Sequence, residues 1–206
     1  MIQKELYFIR HGQTDHNLKG IVQGKGVNLP LNDLGRRQSK AFFEAYKDVP
    51  FDRIFTSSLL RAQQTIDPFR EIGHDFEPRE ELDEISWGNM EGIATVMENS
   101  EAFKYLTDQW KAGNDHAKPE GGESPHELQT RQRRFVDHVL TIPDKTILVS
   151  MHGRAIRSMM CTLTGTPLKD MEEFPHVNLT LYKVNLLDNG KFEIEQFNDT
   201  KHLKDL

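Results

Sequence analysis

Apolar residues along this chain follow two alternating patterns. Short continuous apolar runs are typical of buried strands, whereas apolar positions that recur every three or four residues are typical of helices with one buried face. The runs predict strands at residues 6–9, 51–56, 146–151, 179–186 and 191–197. The recurring positions predict helices at residues 33–46, 59–72, 91–110, 125–142 and 154–164. Strands and helices that alternate in this way predict an α/β fold.

Polar residues beside these segments mark where helices begin. Asn32 is a predicted N-cap, and Ser57 or Ser58 is predicted to cap the next helix. Ser124 is followed three positions later by Glu127, which matches a capping box. These helix boundaries therefore have support that does not depend on the apolar pattern.

The order of the elements predicts a three-layer α/β/α sandwich with a mainly parallel sheet. The last two strands are expected to form an antiparallel edge, because Asn189-Gly190 between them is a hairpin signal. Residues 1–206 are expected to form a single domain. Residues 88–123 interrupt the alternation and are expected to form a helical insertion that covers one edge of the sheet.

Composition excludes several classes of function. The chain has 206 residues, a net charge of −6 and no long run of lysine and arginine, so nucleic-acid binding is not expected. No signal peptide is expected, and no apolar stretch approaches the roughly 18 residues that a membrane span needs. The single cysteine, Cys161, lies in an apolar helical pattern and is expected to be buried. These features predict a cytoplasmic enzyme or binding protein that has no membrane partner.

Two histidines occupy equivalent positions at predicted strand ends. His11 and His152 each follow an apolar strand and precede a glycine. The carboxyl ends of parallel strands lie on one rim of a sheet, where α/β proteins bind ligands. Arg10 precedes the first histidine, and Arg61 lies in the first turn of the helix after the second strand. The four side chains are therefore expected to face one pocket.

These residue types suit the chemistry of a phosphate ester. Guanidinium groups match phosphate oxygens two at a time, and a neutral imidazole is a competent nucleophile toward phosphorus. Glu84 could supply the proton that a leaving alkoxide needs, since the charge of a bound phosphate favours a neutral carboxyl group nearby. Metal ligation is the rival use of these residues, but the sequence has no His-x-x-x-His helix, paired cysteines or Asp-rich loop.

Five stretches of the chain resemble, in their order, the histidine phosphatase superfamily, also called the phosphoglycerate mutase-like family. They are residues 10–14 (RHGQT) with Asn17, 57–65 (SSLLRAQQT), 82–92 (LDEISWGNMEG), 119–124 (PEGGES) and 149–153 (VSMHG). Each stretch alone is weak, whereas all five in order are highly specific. The resemblance implies a phosphoglycerate mutase-like α/β/α fold and a phosphatase that uses no metal or other cofactor. It also implies that the insertion covers the active site.

The resemblance implies a role for each candidate residue. His11 would accept the phosphoryl group, His152 would stabilise it, and Glu84 would donate a proton and then activate water. Arg10 and Arg61 would clamp the phosphate. Contacts with phosphate or substrate are implied at Asn17, Gln23, Gly24 and Gly153.

The chain departs from the family pattern beside His152. Arg154 stands where relatives often carry a second glycine and is expected to add charge at the pocket rim, and Met151 replaces the usual serine. Phosphoglycerate mutases carry a longer insertion with paired arginines, whereas residues 110–118 here contain two lysines. The expected function is hydrolysis of a small phosphorylated metabolite through a phosphohistidine. A phosphoglycerate mutase, or a catalytically silent module that binds phosphate or protein, stays open.

Other residues have simpler expected roles. His176 precedes the last strands and could reach the pocket, while residues 131–134 are expected to form a solvated helix face. Trp87, Phe103 and Trp110 either line the cavity or pack between insertion and core. The histidines expected on the surface are His16, His74, His116, His126, His138 and His202. Neither pattern nor composition specifies the substrate or the oligomeric state.

Overall fold

The computed structural model describes residues 1–93 and 100–206, and a sheet of six strands runs through the centre of this described part. The strands are β1 (Ile2–Arg10), β2 (Arg53–Ser57), β3 (Glu77–Arg79), β4 (Thr146–Met151), β5 (Leu181–Leu187) and β6 (Phe192–Asp199). Five of them overlap predicted strands. The sixth, β3, has no apolar run, and its central proline is tolerated because the strand lies at the sheet edge.

The sheet is mainly parallel, as predicted. The strand order is β3-β2-β4-β1-β5-β6, with β1 parallel to β4, β4 parallel to β2, and β2 parallel to β3. β5 runs antiparallel to both β1 and β6 and so forms the predicted antiparallel edge. The parallel pairing places the carboxyl ends of β1, β2 and β4 on one rim.

Helices flank this sheet. They are α1 (Asp15–Leu18), α2 (Asp33–Tyr46), α3 (Leu60–Glu71), α4 (Glu101–Lys111), α5 (Pro125–Thr141) and α6 (Gly153–Thr164). Short 3₁₀ turns occupy Glu80–Leu82, Gly88–Met90, Leu168–Glu173 and Lys201–Leu203. None of the helices found in the described ranges combines the length and the apolar character that crossing a membrane requires.

Alternation along β1 shows that the sheet separates two apolar layers. Leu6 and Phe8 pack in one core with residues of α5 and α6. Tyr7 and Ile9 pack in the other core with residues of α2 and α3. Burial of both faces is the arrangement expected for a parallel sheet covered by helices, and the predicted three-layer α/β/α sandwich is confirmed. The assignment of one domain with an insertion at 88–123 stays a prediction.

Two of the predicted helix caps are confirmed and one is wrong. Asn32 accepts a hydrogen bond from the Gly35 N–H at 2.9 Å, and Ser124 forms the predicted capping box. Neither Ser57 nor Ser58 caps α3. The N-cap is Leu59, whose apolar side chain makes no hydrogen bond. The hydroxyl groups of both serines donate to the Asp83 carboxylate instead.

The predicted helix at 91–110 begins later than its apolar pattern indicates. Among the described residues, α4 begins at Glu101, after Ser100 accepts a hydrogen bond from the Phe103 N–H. Gly88–Met90, just before the predicted helix, forms a separate 3₁₀ turn. Residues 94–99, which the prediction included, lie outside the described residues.

The predicted solvated face at 131–134 is wrong for its first two residues. Arg131 is 8% exposed and Gln132 is fully buried, while the next two arginines are exposed. Arg131 pairs with Glu123 at 2.8 Å and donates to the backbone oxygen of Glu84 at 3.0 Å. This guanidinium therefore ties α5 to the loop that carries the candidate proton donor.

Two glycines let the chain after β1 pack directly on α2. A Cβ added to Gly35 would lie 2.1 Å from the carbonyl oxygen of Gln13. A Cβ added to Gly12 would lie 2.6 Å from the carbonyl oxygen of Gly35. Both obstacles are backbone atoms, which cannot rotate away. The contact thus fixes the backbone just after His11 against the first turn of α2.

The variant Gly35→Ala should therefore destabilise the protein by about 1–3 kcal/mol, because its methyl group overlaps the backbone of Gln13. Urea denaturation followed by circular dichroism measures the loss. Lys40→Ala, at an exposed position of the same helix, is the matched control and should change the free energy of unfolding by less than about 0.5 kcal/mol. Equal stability of the two variants would show that this backbone contact is not close.

Candidate active site

The candidate nucleophile is a neutral imidazole at the end of β1. His11 is 3% exposed, and its Nδ1 lies 2.7 Å from the Gly12 carbonyl oxygen. A carbonyl oxygen only accepts, so this contact places the proton on Nδ1 and leaves the lone pair on Nε2. Burial, followed by the charges of Arg61 and Arg10, lowers the pKa of His11 well below 6.5. The ring therefore stays neutral at physiological pH.

His152 lies beside His11, with 5.0 Å between the ring centroids. Its Nε2 lies 2.7 Å from the hydroxyl oxygen of Ser57, and that hydroxyl donates to Asp83 at 2.7 Å. Because the Ser57 hydroxyl hydrogen points at Asp83, the Ser57 oxygen accepts from the His152 Nε2–H, and Nδ1 of His152 carries the lone pair. Burial, followed by the charge of Arg61, also lowers the pKa of His152. The site therefore holds two neutral rings.

The guanidinium groups of Arg61 and of the partly buried Arg10 accompany these rings. Arg61 is fully buried, and its Nη atoms donate to the carbonyl oxygens of Val27 and Gly24. Burial lowers the pKa of both Arg10 and Arg61 to about 10, so both stay charged at neutral pH. In the described parts of the chain, the Nε of each arginine is buried without a hydrogen-bond partner. Since buried polar groups rarely lack partners, these donors indicate a site for an anion.

Glu84 is oriented by the N-terminus of α6. Its Oε1 accepts the N–H groups of Ile85 at 3.0 Å and Ala155 at 2.9 Å. Its Oε2 accepts the N–H of Arg154 at 3.1 Å. The side chain is 7% exposed and lines the cavity described next. A carboxyl group fixed in this way can exchange a proton with a ligand there.

A cavity of about 520 Å³ connects these groups. Six predicted site residues line it, namely Arg10, His11, Asn17, Gln23, Glu84 and Gly153. Arg61 and His152 are fully buried beside it. Gly24 contacts Arg61 through its carbonyl oxygen, 3.2 Å from Nη2, and thereby positions that arginine. The structure thus brings the predicted residues together, while their individual roles stay predictions.

Residues of the loop after β1 hold one side of the cavity. Asn17 accepts hydrogen bonds from the Thr14 N–H and from the Asn178 side chain, each at 3.2 Å. Gln23 bonds to the Thr14 hydroxyl at 2.7 Å. Asn17 and Gln23 are therefore anchored where the resemblance places substrate contacts.

Another wall of the cavity is formed by α4, α6 and the loop that contains Trp87. Trp87 and Phe103 line the cavity, with ring centroids 5.1 Å apart, while Trp110 is buried behind Trp87. Arg154, expected at the rim, is only 8% exposed and also lines it. His176 reaches the pocket and packs on Gly153, where an added Cβ would lie 2.5 Å from the ring; burial lowers its pKa.

Of the six histidines expected on the surface, His116 and His126 are exposed, whereas the other four are half-buried, which corrects the expectation for His16, His74, His138 and His202. His202 is half-buried, and its ring packs edge-on against Phe42 with 5.2 Å between centroids. Of the residues that the structure describes, the one group with metal-ligand spacing is Asp115, His116 and His126. None of the three lines the cavity described above.

Sequence reasoning assigned no catalytic part to Ser57 and Asp83. Both are fully buried, and together they orient His152. Each lay within a stretch that resembles the family, and Asp83 directly precedes Glu84.

Comparisons with known proteins agree with this geometry. A model of the histidine phosphatase superfamily (branch 1) matches residues 6–200. PhoE of Bacillus subtilis, named as an uncharacterized phosphatase, is 29% identical over 95% of this chain and 94% of that protein. GpmB of Proteus mirabilis, named as a probable phosphoglycerate mutase, is 30% identical over 98% of this chain and 96% of that protein.

A solved structure of mycobacterial glucosyl-3-phosphoglycerate phosphatase with VO3 has a TM-score of 0.83. The likeness covers 96% of this chain and 100% of that chain, at 23% sequence identity. It shows that the two proteins share a fold.

NMR of the histidine rings tests the protonation states. Because burial and neighbouring cations lower the pKa of His11 and His152, neither ring should gain a proton between about pH 7.5 and 5.5. His11 should carry its proton on Nδ1 and His152 on Nε2, and His11→Asn assigns the signals. In the urea-unfolded chain the same rings should titrate near the ordinary value of about 6.5. A midpoint near that value for His11 in the folded protein would contradict the description.

Proposed function

This chain belongs to the histidine phosphatase superfamily (branch 1), and we propose that it hydrolyses phosphomonoesters through a phosphohistidine on His11. The unpaired buried Nε atoms of Arg10 and Arg61, beside two neutral imidazoles, are the observation that carries the proposal. They supply cations for a phosphate and a nucleophile for its phosphorus atom. Relatives named as phosphatases support the same class of enzyme.

In the first step, Nε2 of His11 attacks phosphorus, and a P–N bond forms as the ester P–O bond breaks. Arg10 and Arg61 offset the charge of the transferring group. Glu84 donates its proton to the leaving oxygen, so that an alcohol departs instead of an alkoxide. A bound dianion favours a second proton on His152, whose Nδ1 can then donate to the phosphoryl oxygens.

In the second step, water attacks the phosphorus of the phosphohistidine. Glu84, now ionised, takes a proton from this water, and the P–N bond breaks. The bonding electron pair returns to Nε2 of His11, and inorganic phosphate leaves. The cycle restores both residues without any metal ion.

The cavity volume of about 520 Å³ suits a small phosphorylated metabolite as the substrate. A mutase would return the phosphoryl group to a second hydroxyl instead of water. Phosphate release distinguishes the two reactions, since a mutase yields a rearranged phosphate ester. A cytoplasmic location stays a prediction.

Replacement of the nucleophile tests the proposal. His11→Ala should lower kcat for p-nitrophenyl phosphate by more than about 10³-fold, because no other ring has the same position. The exposed His126→Ala is the matched control and should retain the wild-type rate. If His11→Ala kept a tenth of the activity, His11 would not be the phosphoryl acceptor.

A leaving-group series tests Glu84. In Glu84→Gln, kcat/KM should fall by about 10²- to 10⁴-fold for alkyl phosphates, whose alkoxides need a proton. It should fall far less for p-nitrophenyl phosphate, because p-nitrophenolate leaves unprotonated. The ratio kcat/KM reports the first step, so loss of water activation in the second does not obscure the comparison. Equal losses for both substrates would leave Glu84 a positional role only.

A further inference from the structure

The cavity contains a second group of cations, on the wall that α4 and α6 form. Lys111, Arg154 and Arg157 line this wall together with one carboxylate, Glu172. Arg154 and Arg157 both donate hydrogen bonds to Glu172. We call these four residues the distal cluster. It combines the end of α4, the first turns of α6 and the 3₁₀ turn at Leu168–Glu173.

The backbone of Arg154 contacts the candidate proton donor, and its side chain packs on two indole rings. Its backbone N–H donates to Glu84 at 3.1 Å. Its guanidinium carbon lies 5.4 Å from the ring centroid of Trp110 and 5.9 Å from that of Trp87. The two indole rings and Glu172 therefore fix the cation in one place. A leaving group protonated by Glu84 would extend along this side chain.

Positive charge exceeds negative charge in the distal cluster. Burial alone would raise the pKa of Glu172, yet Arg154, Arg157 and Lys111 hold that pKa below its ordinary value. Within the described ranges, the Arg154 side chain donates only to Glu172. A guanidinium carries five N–H donors, so most of those of Arg154 are available to a ligand in the cavity.

We propose that the distal cluster binds a second anionic group on the leaving-group side of the substrate. The preferred substrates are then phosphomonoesters that also carry a carboxylate or a second phosphate. A neutral leaving group would displace water from these cations without replacing its hydrogen bonds. The inference rests on the proposed function, because that function places the leaving group beside Glu84.

Competitive inhibition of p-nitrophenyl phosphate hydrolysis tests this inference with matched ligand pairs. In the first pair, 3-phosphoglycerate and glycerol 3-phosphate differ by a carboxylate in place of a hydroxymethyl group. In the second pair, propane-1,3-diol bisphosphate and 3-hydroxypropyl phosphate differ by a phosphate. At least one anionic member should have a Ki roughly 10- to 100-fold below that of its partner, as expected for a charge-assisted hydrogen bond. The pair with the larger ratio identifies the anion.

Variants assign the effect to Arg154. Arg154→Met keeps an apolar side chain against the two indole rings but should reduce the Ki ratio to within about threefold of one. Arg154→Lys restores a charge without the planar fork and should give an intermediate ratio. The exposed Arg133→Met is the matched control and should keep the wild-type ratio. Far-ultraviolet circular dichroism confirms that each variant is folded.

The outcomes separate this inference from the proposed function. Failure of the wild-type protein to release phosphate from p-nitrophenyl phosphate would overturn the proposed function. Phosphate release with equal Ki values in both pairs would overturn the distal cluster as an anion site and leave the phosphatase in place. An Arg154→Met variant that weakens both members of a pair equally would also overturn it.

Discussion

Two guanidinium groups, one fully buried and one lining the cavity, lie beside two buried imidazoles, and the site depends on this arrangement. A buried cation without a full set of partners is costly unless an anion joins it. In this protein the same cations help to keep His11 and His152 neutral. The protein therefore combines cations that favour an anion with an unprotonated imidazole, which are the two properties that the proposed phosphoryl transfer to nitrogen needs.

The fold holds these groups in place through a small number of contacts. β1 and β4 are parallel neighbours, so their final residues deliver His11 and His152 to one rim. Asp83 and Ser57 set the tautomer of His152, while the N-terminus of α6 orients Glu84. Rigid supports of this kind matter because catalysis depends on groups positioned before the substrate arrives.

The sequence predicted the parts of the structure that local pattern determines. Apolar runs located five strands, and the rule for parallel sheets brought His11 and His152 to one rim. The sequence did not predict that Arg131 is buried, because the partners of its guanidinium, Glu123 and the Glu84 carbonyl, come from other segments. The same reason applies to Ser57, whose hydroxyl donates a hydrogen bond to Asp83 instead of capping a helix. Pairing between distant polar side chains has no local signal.

Direct observation of the phosphorylated protein tests the central claim, which is transfer of a phosphoryl group to His11. The protein is mixed rapidly with excess p-nitrophenyl phosphate and quenched in base, because the P–N bond of phosphohistidine hydrolyses in acid. Mass spectrometry of the peptides then locates the phosphate. The account predicts a phosphoryl group on the His11 ring during turnover. Turnover without any phosphorylated histidine, or with phosphate on another residue, would contradict it.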